Sequence, residues 1–473
     1  MSHRYDAVVV GAGPNGLAAA VELARRHRSV LVVEGHDQIG GGCRTAELTV
    51  EGHLHDVCAA AHPLGAGSPY LRRLPLADYG LEWVQPEIPA AHPLEHTTVA
   101  LHRSIADTAA GLGPDGDAYR ELIGPLAARA DALFDAILGP LVRMPRHPVT
   151  LARFGVSGVR SSHAIAGRFA SAEAKALWTG LAAHSITNLD RPFTAAVALS
   201  LAVAAHAFGF PFVRGGSGSL VAALAAYFAD LGGDIETGAW IDDLDELPDA
   251  DVYLLDVSAP AAAAIAGPRL MRPARRRLRR WRPGPGVFKI DYALDGAVPW
   301  RDDTLAAAGT IHLGGTATEI EASEKAVAAG DHPAQPFVLV TQPSIVDDTR
   351  APPGHHTLWA YCHVPNRSTR DMTAEVEAQI ERFAPGFRRR VIGRHTMGNA
   401  DYERYNPNNV GGDIAGGAFT TGQLVARPLP TPNPYRIGSG VYLCSSSAPP
   451  GAGVHGMSGY HAAIEADKVL SKR

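Results

Sequence analysis

Three glycines spaced as Gly11, Gly13 and Gly16, followed by an acid at Glu34, are the residues here whose types and spacing most directly suggest chemistry. A dinucleotide pyrophosphate is held by main-chain N–H groups at a helix start, and the backbone approaches that closely only where no Cβ intervenes. In Gly11-Ala12-Gly13-Pro14-Asn15-Gly16 the first glycine permits the tight turn. The second lets the phosphates approach, and the third lets helix pack on strand. Asn15 belongs to the same helix start, and Glu34 stands where a carboxylate can accept hydrogen bonds from an adenosine ribose. A second opportunity follows at Gly41, Gly42 and Arg44, where small residues again allow close approach and the guanidinium supplies a fixed positive charge for phosphate.

These residues need a strand, a helix and a second strand to position them, and the sequence supplies all three. Tyr5 to Val10 reads as a buried strand. Leu17, Ala20, Val21 and Ala24 recur at helical spacing, and Ser29 to Val33 form the next strand. A glycine pattern alone is weak, but with its strands, helix and acid it is a specific dinucleotide fingerprint. Residues from about Ser68 to Ala207 are dominated by helical patterns such as Ala118 to Leu138, with proline-rich joints at Pro86 to Pro93 and Pro140 to Pro148. Arg214 to Leu220 then opens a helix from Val221 to Leu231, followed by a short strand from Asp234 to Ile241. Gly286 to Leu294, Thr310 to Leu313, Phe337 to Thr341 and Thr357 to Val364 predict an antiparallel sheet that would floor a substrate cavity, with Trp359 and Tyr361 packing its wall. Gly440 to Leu443 is a last strand, and a final helix runs to about Leu470.

Bulk composition narrows the partners. A net charge of -5 gives no global pull toward nucleic acid, which leaves small molecules. Cys43, Cys58, Cys362 and Cys444 show neither a CxxC pair nor metal-ligand spacing, so no metal site is expected and a reduced, cytoplasmic setting fits; no signal peptide is expected before the first strand. Thr194 to Val213 carries no charge, but its alanine content, His206 and Gly209-Phe210-Pro211 favour a buried helix over a membrane span. Arg272 to Arg282 reads first as a solvated helix face, and second as a contact with an anionic membrane surface or an acidic substrate.

Taken in order, these segments resemble the flavin amine oxidase superfamily, and within it the phytoene desaturase-like branch that includes carotenoid isomerases. Three pieces carry the resemblance: Gly215 to Leu220, Gly411-Gly412-Asp413-Ile414 leading to Arg427-Pro428, and Tyr442 to Gly456. Amine oxidases end the corresponding last strand with a Gly-Glu pair facing the flavin, whereas this chain has Ser445-Ser446-Ser447. The resemblance implies FAD held by discontinuous pieces of chain, with Ile241 near its adenine end and Gly453, Val454 and His455 facing its flavin. It also suggests Lys289, His62 and His455 as active-site residues: Lys289 on a strand whose lysine reaches water near the flavin, His62 beyond Asp56 on a strand running toward it. After Ile241 the chain is shorter than the family pattern, passing almost directly from Asp242 to the strand around Val252.

The expected architecture is α/β, with a discontinuous Rossmann-type FAD-binding domain and a substrate domain combining an antiparallel sheet with a helical insertion. Residues 1–75, 214–285 and 411–473 would form the FAD domain, 76–213 the helical substrate region and 286–410 the sheet region. The implied activity is desaturation or dehydrogenation of a hydrophobic small molecule by hydride transfer to FAD, with oxygen, a quinone or another acceptor as reoxidant. A redox-neutral flavin-dependent isomerase, an amine oxidase and a non-catalytic FAD-binding protein are the alternatives.

Overall fold

Ala7, Val8 and Val9 are wholly buried although their side chains alternate in direction, so the first strand lies inside a covered sheet. The computed structural model describes residues 4–140 and 144–472. In it Tyr5–Val10 is central in a six-stranded sheet ordered Arg436–Gly438, Val441–Leu443, Ala250–Leu255, Tyr5–Val10, Val30–Val33 and Asp234–Glu236. All neighbours are parallel except the first pair. Segments far apart in sequence build one sheet, as the discontinuous reading requires.

The helix Pro14–Ala24 packs against this sheet and against the last helix, Met457–Leu470. Their approach is close because Gly459 lies against Asn15: a Cβ there would stand 1.8 Å from the Asn15 carbonyl oxygen. Between Glu236 and Ala250 the chain forms only the short turn Leu244–Glu246. The strand expected from Asp234 to Ile241 stops at Glu236, after which Ala239 N–H bonds the Glu34 carbonyl in a loop.

The second sheet has seven strands, ordered Val391–Met397, Gly286–Leu294, His356–Val364, Val338–Thr341, Ala308–Leu313, Ile88–Pro93 and Thr98–Leu101. It is antiparallel except where Ala308–Leu313 runs parallel to Ile88–Pro93. Here the structure corrects the sequence reading: Pro86 to Pro93 is no joint but leads into a fully buried strand. The other expected joint includes residues 141–143, which lie outside the described residues. Phe288, Ile290, Tyr292, Val340 and Ala360 occupy one face and share a core with Val376, Ile380 and Phe383 of the helix Thr373–Phe383. Alternation sends Val287, Lys289, Asp291, Trp359, Tyr361, Leu339 and Thr310 to the opposite face.

Helices cover that opposite face. The pattern from Ala118 to Leu138 is two helices, Gly116–Ala127 and Ala130–Ile137, with Pro125 in the last turn of the first and a non-helical backbone at Arg129. Thr194–Ala207 is a largely buried helix, and among the described residues no helix is long and apolar enough to cross a membrane. Arg272–Arg279 buries Ala274 and Leu278, while Arg277 donates to the carbonyls of Pro428 and Ala426 and the other arginines stay partly or fully exposed.

Candidate functional site

The turn after the first strand is shaped by absent side chains. Gly11 has φ +101° and donates its N–H to the Val33 carbonyl at 2.8 Å. A Cβ on Gly16 would stand 2.0 Å from the Gly11 carbonyl oxygen, and one on Gly13 would meet the Asp256 carboxylate at 2.8 Å. Gly41, at φ +52°, would put a Cβ 3.1 Å from Gly13 Cα. Two glycine loops therefore face each other at backbone contact.

Glu34 follows the strand Val30–Val33 and accepts the Ala12 and His36 N–H groups at 2.8 and 2.9 Å. Arg44 is buried, 3.7 Å from Glu34 and 5.2 Å from the Tyr405 ring centroid, and donates to the Tyr405 carbonyl. The Tyr405 hydroxyl donates to the Gly41 carbonyl at 2.7 Å, so a segment from beyond the second sheet straps the glycine loop.

One cavity of about 900 Å³ runs through this arrangement. Gly11, Gly13, Asn15, Glu34, Gly41, Gly42, Arg44 and Ile241 all line it. Gly453 and Val454 line it before the last helix, and Trp359, Tyr361, Leu339 and Thr310 line it from the second sheet. Gly16 and His455 lie outside the lining. A narrow cradle with no room for Cβ atoms, a fixed guanidinium and an acid at a strand end matches the donor and acceptor set of an extended dinucleotide.

The three candidate active-site residues occupy different surroundings. His62 lines the cavity and is buried, with Nε2 2.8 Å from Ser217 Oγ. Ser217 Oγ donates to the Ala59 carbonyl, so the hydrogen between His62 and Ser217 belongs to His62, and its Nδ1 is a lone pair without a partner. Burial lowers its pKa to about 4, which keeps the ring neutral. His455 is fully buried, and its Nδ1 accepts the Met457 N–H at 3.0 Å at the start of the last helix. Burial also lowers its pKa to about 4.

Lys289 is fully buried outside the cavity lining, its ammonium 2.5 Å from Asp291 and 5.7 Å from the ring centroid of Trp359, which does line it. His55 and His395 approach Asp291 at 3.6 Å. Burial pushes the Asp291 carboxyl upward, but Lys289 and the two histidines bring it below its usual value.

Asp256 is a site residue the sequence reading passed over. It follows the strand Ala250–Leu255, lines the cavity, and accepts the Gly16 N–H at 2.8 Å. Burial, with Glu34 nearby, pushes its pKa up to about 7. The available signal was topological: a residue ending the strand parallel to Tyr5–Val10 must face the same glycine turn. Asp56 was noted only as a neighbour of His62, yet its carboxylate joins Thr45 Oγ1, the Ser217 N–H and the Arg350 guanidinium, all buried or nearly so.

The fold is shared with solved oxidoreductases of low sequence identity, and the glycine turn with known nucleotide-binding domains. Residues 9–74 match the family model described as an NAD(P)-binding Rossmann-like domain. The chain is 28% identical to pyridine nucleotide-disulfide oxidoreductase domain-containing protein 2 of Mus musculus, over 97% of this chain and 92% of that one. Among solved structures it resembles an oxidoreductase from Methanosarcina mazei (TM-score 0.62, 16% identity, 98% and 100% of the two chains). It also resembles cyclohexylamine oxidase from Brevibacterium oxydans (TM-score 0.61, 14% identity, 99% of each). The four cysteines here are all free thiols.

Proposed function

We propose that this chain binds FAD and dehydrogenates an apolar small molecule, in the manner of the phytoene desaturase-like enzymes. The observation that carries the reading is the single cavity that joins the dinucleotide cradle to the wall of Trp359, Tyr361 and Leu339. Glu34 would hold the ribose, Arg44 and the two glycine loops the pyrophosphate, and the backbone at Gly453 and Val454 the flavin end. When bound, the flavin supplies an acceptor for a hydride taken from substrate carbon. The protein's part is to orient an apolar substrate against it and to keep water away, which the aromatic and aliphatic wall suits. His62 lines the cavity as a neutral ring held by Ser217, and its low basicity suits it to shaping the site and not to taking up a proton from the substrate. Ser445-Ser446-Ser447 in place of a Gly-Glu pair supports the desaturase-like reading over amine oxidation. Oxygen, a quinone or another acceptor would reoxidise the flavin. The partly exposed arginines of Arg272–Arg279, next to exposed Met271, offer a peripheral contact with an anionic membrane from which such a substrate could be drawn.

The test is anaerobic titration of the purified yellow protein with fractions of a metabolite extract. Dehydrogenation bleaches the flavin absorbance in proportion to product. Turnover that needs pre-reduced flavin and leaves its redox state unchanged would establish an isomerase instead, and a flavin-free protein that cannot be reconstituted would overturn the cofactor assignment.

A further inference from the structure

Where the helix Ala172–Ala183 ends over the second sheet, the cavity wall turns polar. His184, the residue that closes this helix, lines the cavity, and its Nε2 lies 3.0 Å from Nε2 of His312 on the sheet. Further in, His92 Nε2 is 2.6 Å from the Gly315 carbonyl oxygen. The Nδ1 atoms of His312 and His92 flank Gly180, 2.8 and 3.0 Å from where a Cβ would stand, and neither has a hydrogen-bond partner. Glycine at 180 is what lets both rings crowd the helix.

The bonding pattern assigns the tautomers in sequence. A carbonyl only accepts, so His92 carries its hydrogen on Nε2 and presents a lone pair at Nδ1. Nδ1 of His312 faces the same side of Gly180 without a partner; placing the His312 hydrogen there sets it toward the His92 lone pair, and His312 then accepts at Nε2. The hydrogen between the two Nε2 atoms then belongs to His184. Its Nδ1 is left as a lone pair that bonds no protein atom among the described residues, on a ring that lines the cavity. Burial keeps the array uncharged, lowering His184 to about 3 and His92 to about 4, with His312 well below its usual value. Ser185 Oγ and Thr310 Oγ1 belong to the same wall and also lack partners.

Charge is missing from this wall. The acids that line the cavity, Glu34 and Asp256, sit in the cradle, and its basic side chains, Arg44, Arg404 and Arg427, belong to the cradle and to the 404–427 segment. Glu324 is nearby, but it is buried against His363 Nδ1 at 2.7 Å and does not line the cavity. A carboxylate or an ammonium here would lose its hydration without gaining a counter-charge.

We propose that this wall recognises an uncharged hydroxyl on an otherwise apolar substrate, the hydroxyl donating its hydrogen to His184 Nδ1 with Ser185 and Thr310 beside it. The array ends at a carbonyl, which does not take up a proton, so it orients His184 for recognition and does not relay protons. The proposal deepens the reading above and rests on it in taking this cavity as the substrate site.

The test is calorimetric titration of the FAD-loaded protein at pH 7.5 with 1-decanol, 1-methoxydecane, decanoate and decylamine. The alcohol is expected to bind at least ten-fold tighter than each of the other three. In His184→Leu it should weaken at least ten-fold and fall to the affinity of the ether. Equal affinity of alcohol and ether for the wild type, tighter binding of the acid or the amine, or binding of none of the four would overturn the proposal. The wild-type comparison needs no variant, so a His184→Leu protein that fails to fold leaves the proposal open to refutation. A protein that takes up no flavin would overturn the redox reading while the alcohol and ether could still be compared.

Discussion

At the scale of single residues, Asp256 makes the cradle sensitive to pH. Its carboxyl ionises near 3.8 in model compounds and near 7 in the folded chain, because burial and Glu34 disfavour the charge. Between those values the folded protein holds a proton that the unfolded chain has released. The stability this group contributes is therefore full below about 3.8 and is lost as pH rises through about 7. Asp256→Asn keeps an acceptor for the Gly16 N–H and never ionises. Its stability relative to wild type should be greater at pH 8 than at pH 5 by on the order of 2 kcal/mol, measured as chemical denaturation midpoints at the two pH values. A difference that does not change with pH would refute the assignment. Lys289 presents the opposite case, a buried charge already neutralised. Lys289→Met would strand Asp291, which has only His55 and His395 at 3.6 Å to compensate, and should cost about 3 kcal/mol or more. Adding Asp291→Leu should recover most of that loss. If the single variant turns over and reoxidises like wild type, Lys289 serves the sheet alone and not the flavin.

At the scale of elements, the contact between the first and last helices is set by Gly459. Its absent Cβ would lie 1.8 Å from the Asn15 carbonyl oxygen, so Gly459→Ala must push the helices apart. The expected cost is about 1–3 kcal/mol in urea unfolding, together with weaker FAD retention, because the displaced helix start is part of the cradle. Wild-type stability and retention would show that the helices can slide without opening the site. The first strand, helix and second strand were legible because their signals are contiguous: an apolar run, a glycine turn and helical spacing within the first thirty-four residues. Gly286–Leu294 and the final helix were legible for the same reason. Ile88–Pro93 was not, since prolines at 89 and 93 and no polar alternation hide a strand whose identity comes from pairing with Ala308–Leu313. His184 was illegible for a different reason. Its orientation depends on His312, 128 positions away, and on a glycine one helical turn behind it.

At the scale of the molecule, the cavity lies between two sheets that must keep a fixed relation, and a buried ion network ties them. Arg350 is fully buried. Its Nε donates to Asp347 at 2.7 Å, and its Nη2 to Asp56 at 3.0 Å and to the Val213 carbonyl at 3.1 Å. Asp56 belongs to the hairpin that follows Arg44 and also accepts the Ser217 N–H at 2.7 Å, while Asp347 accepts the Gly215 N–H at 2.8 Å. One guanidinium thus joins the cradle hairpin, the Gly215–Ser217 turn and the loop beyond the strand Val338–Thr341. Arg350→Met would strip Asp56 of its buried cation and leave Asp347 only the partly exposed Arg214 at 3.8 Å, at a cost of about 3–5 kcal/mol. Its effect should extend to the cofactor although Arg350 does not line the cavity, since Asp56 is bonded to Thr45, the residue after Arg44. In wild type, urea unfolding followed by flavin release and by tryptophan fluorescence should give coincident transitions. In Arg350→Met flavin release should move to lower urea than the tryptophan change, because the cradle hairpin loses its anchor before the second sheet loses its core. Coincident transitions at the wild-type midpoint would mean that the two sheets hold their relation without this network.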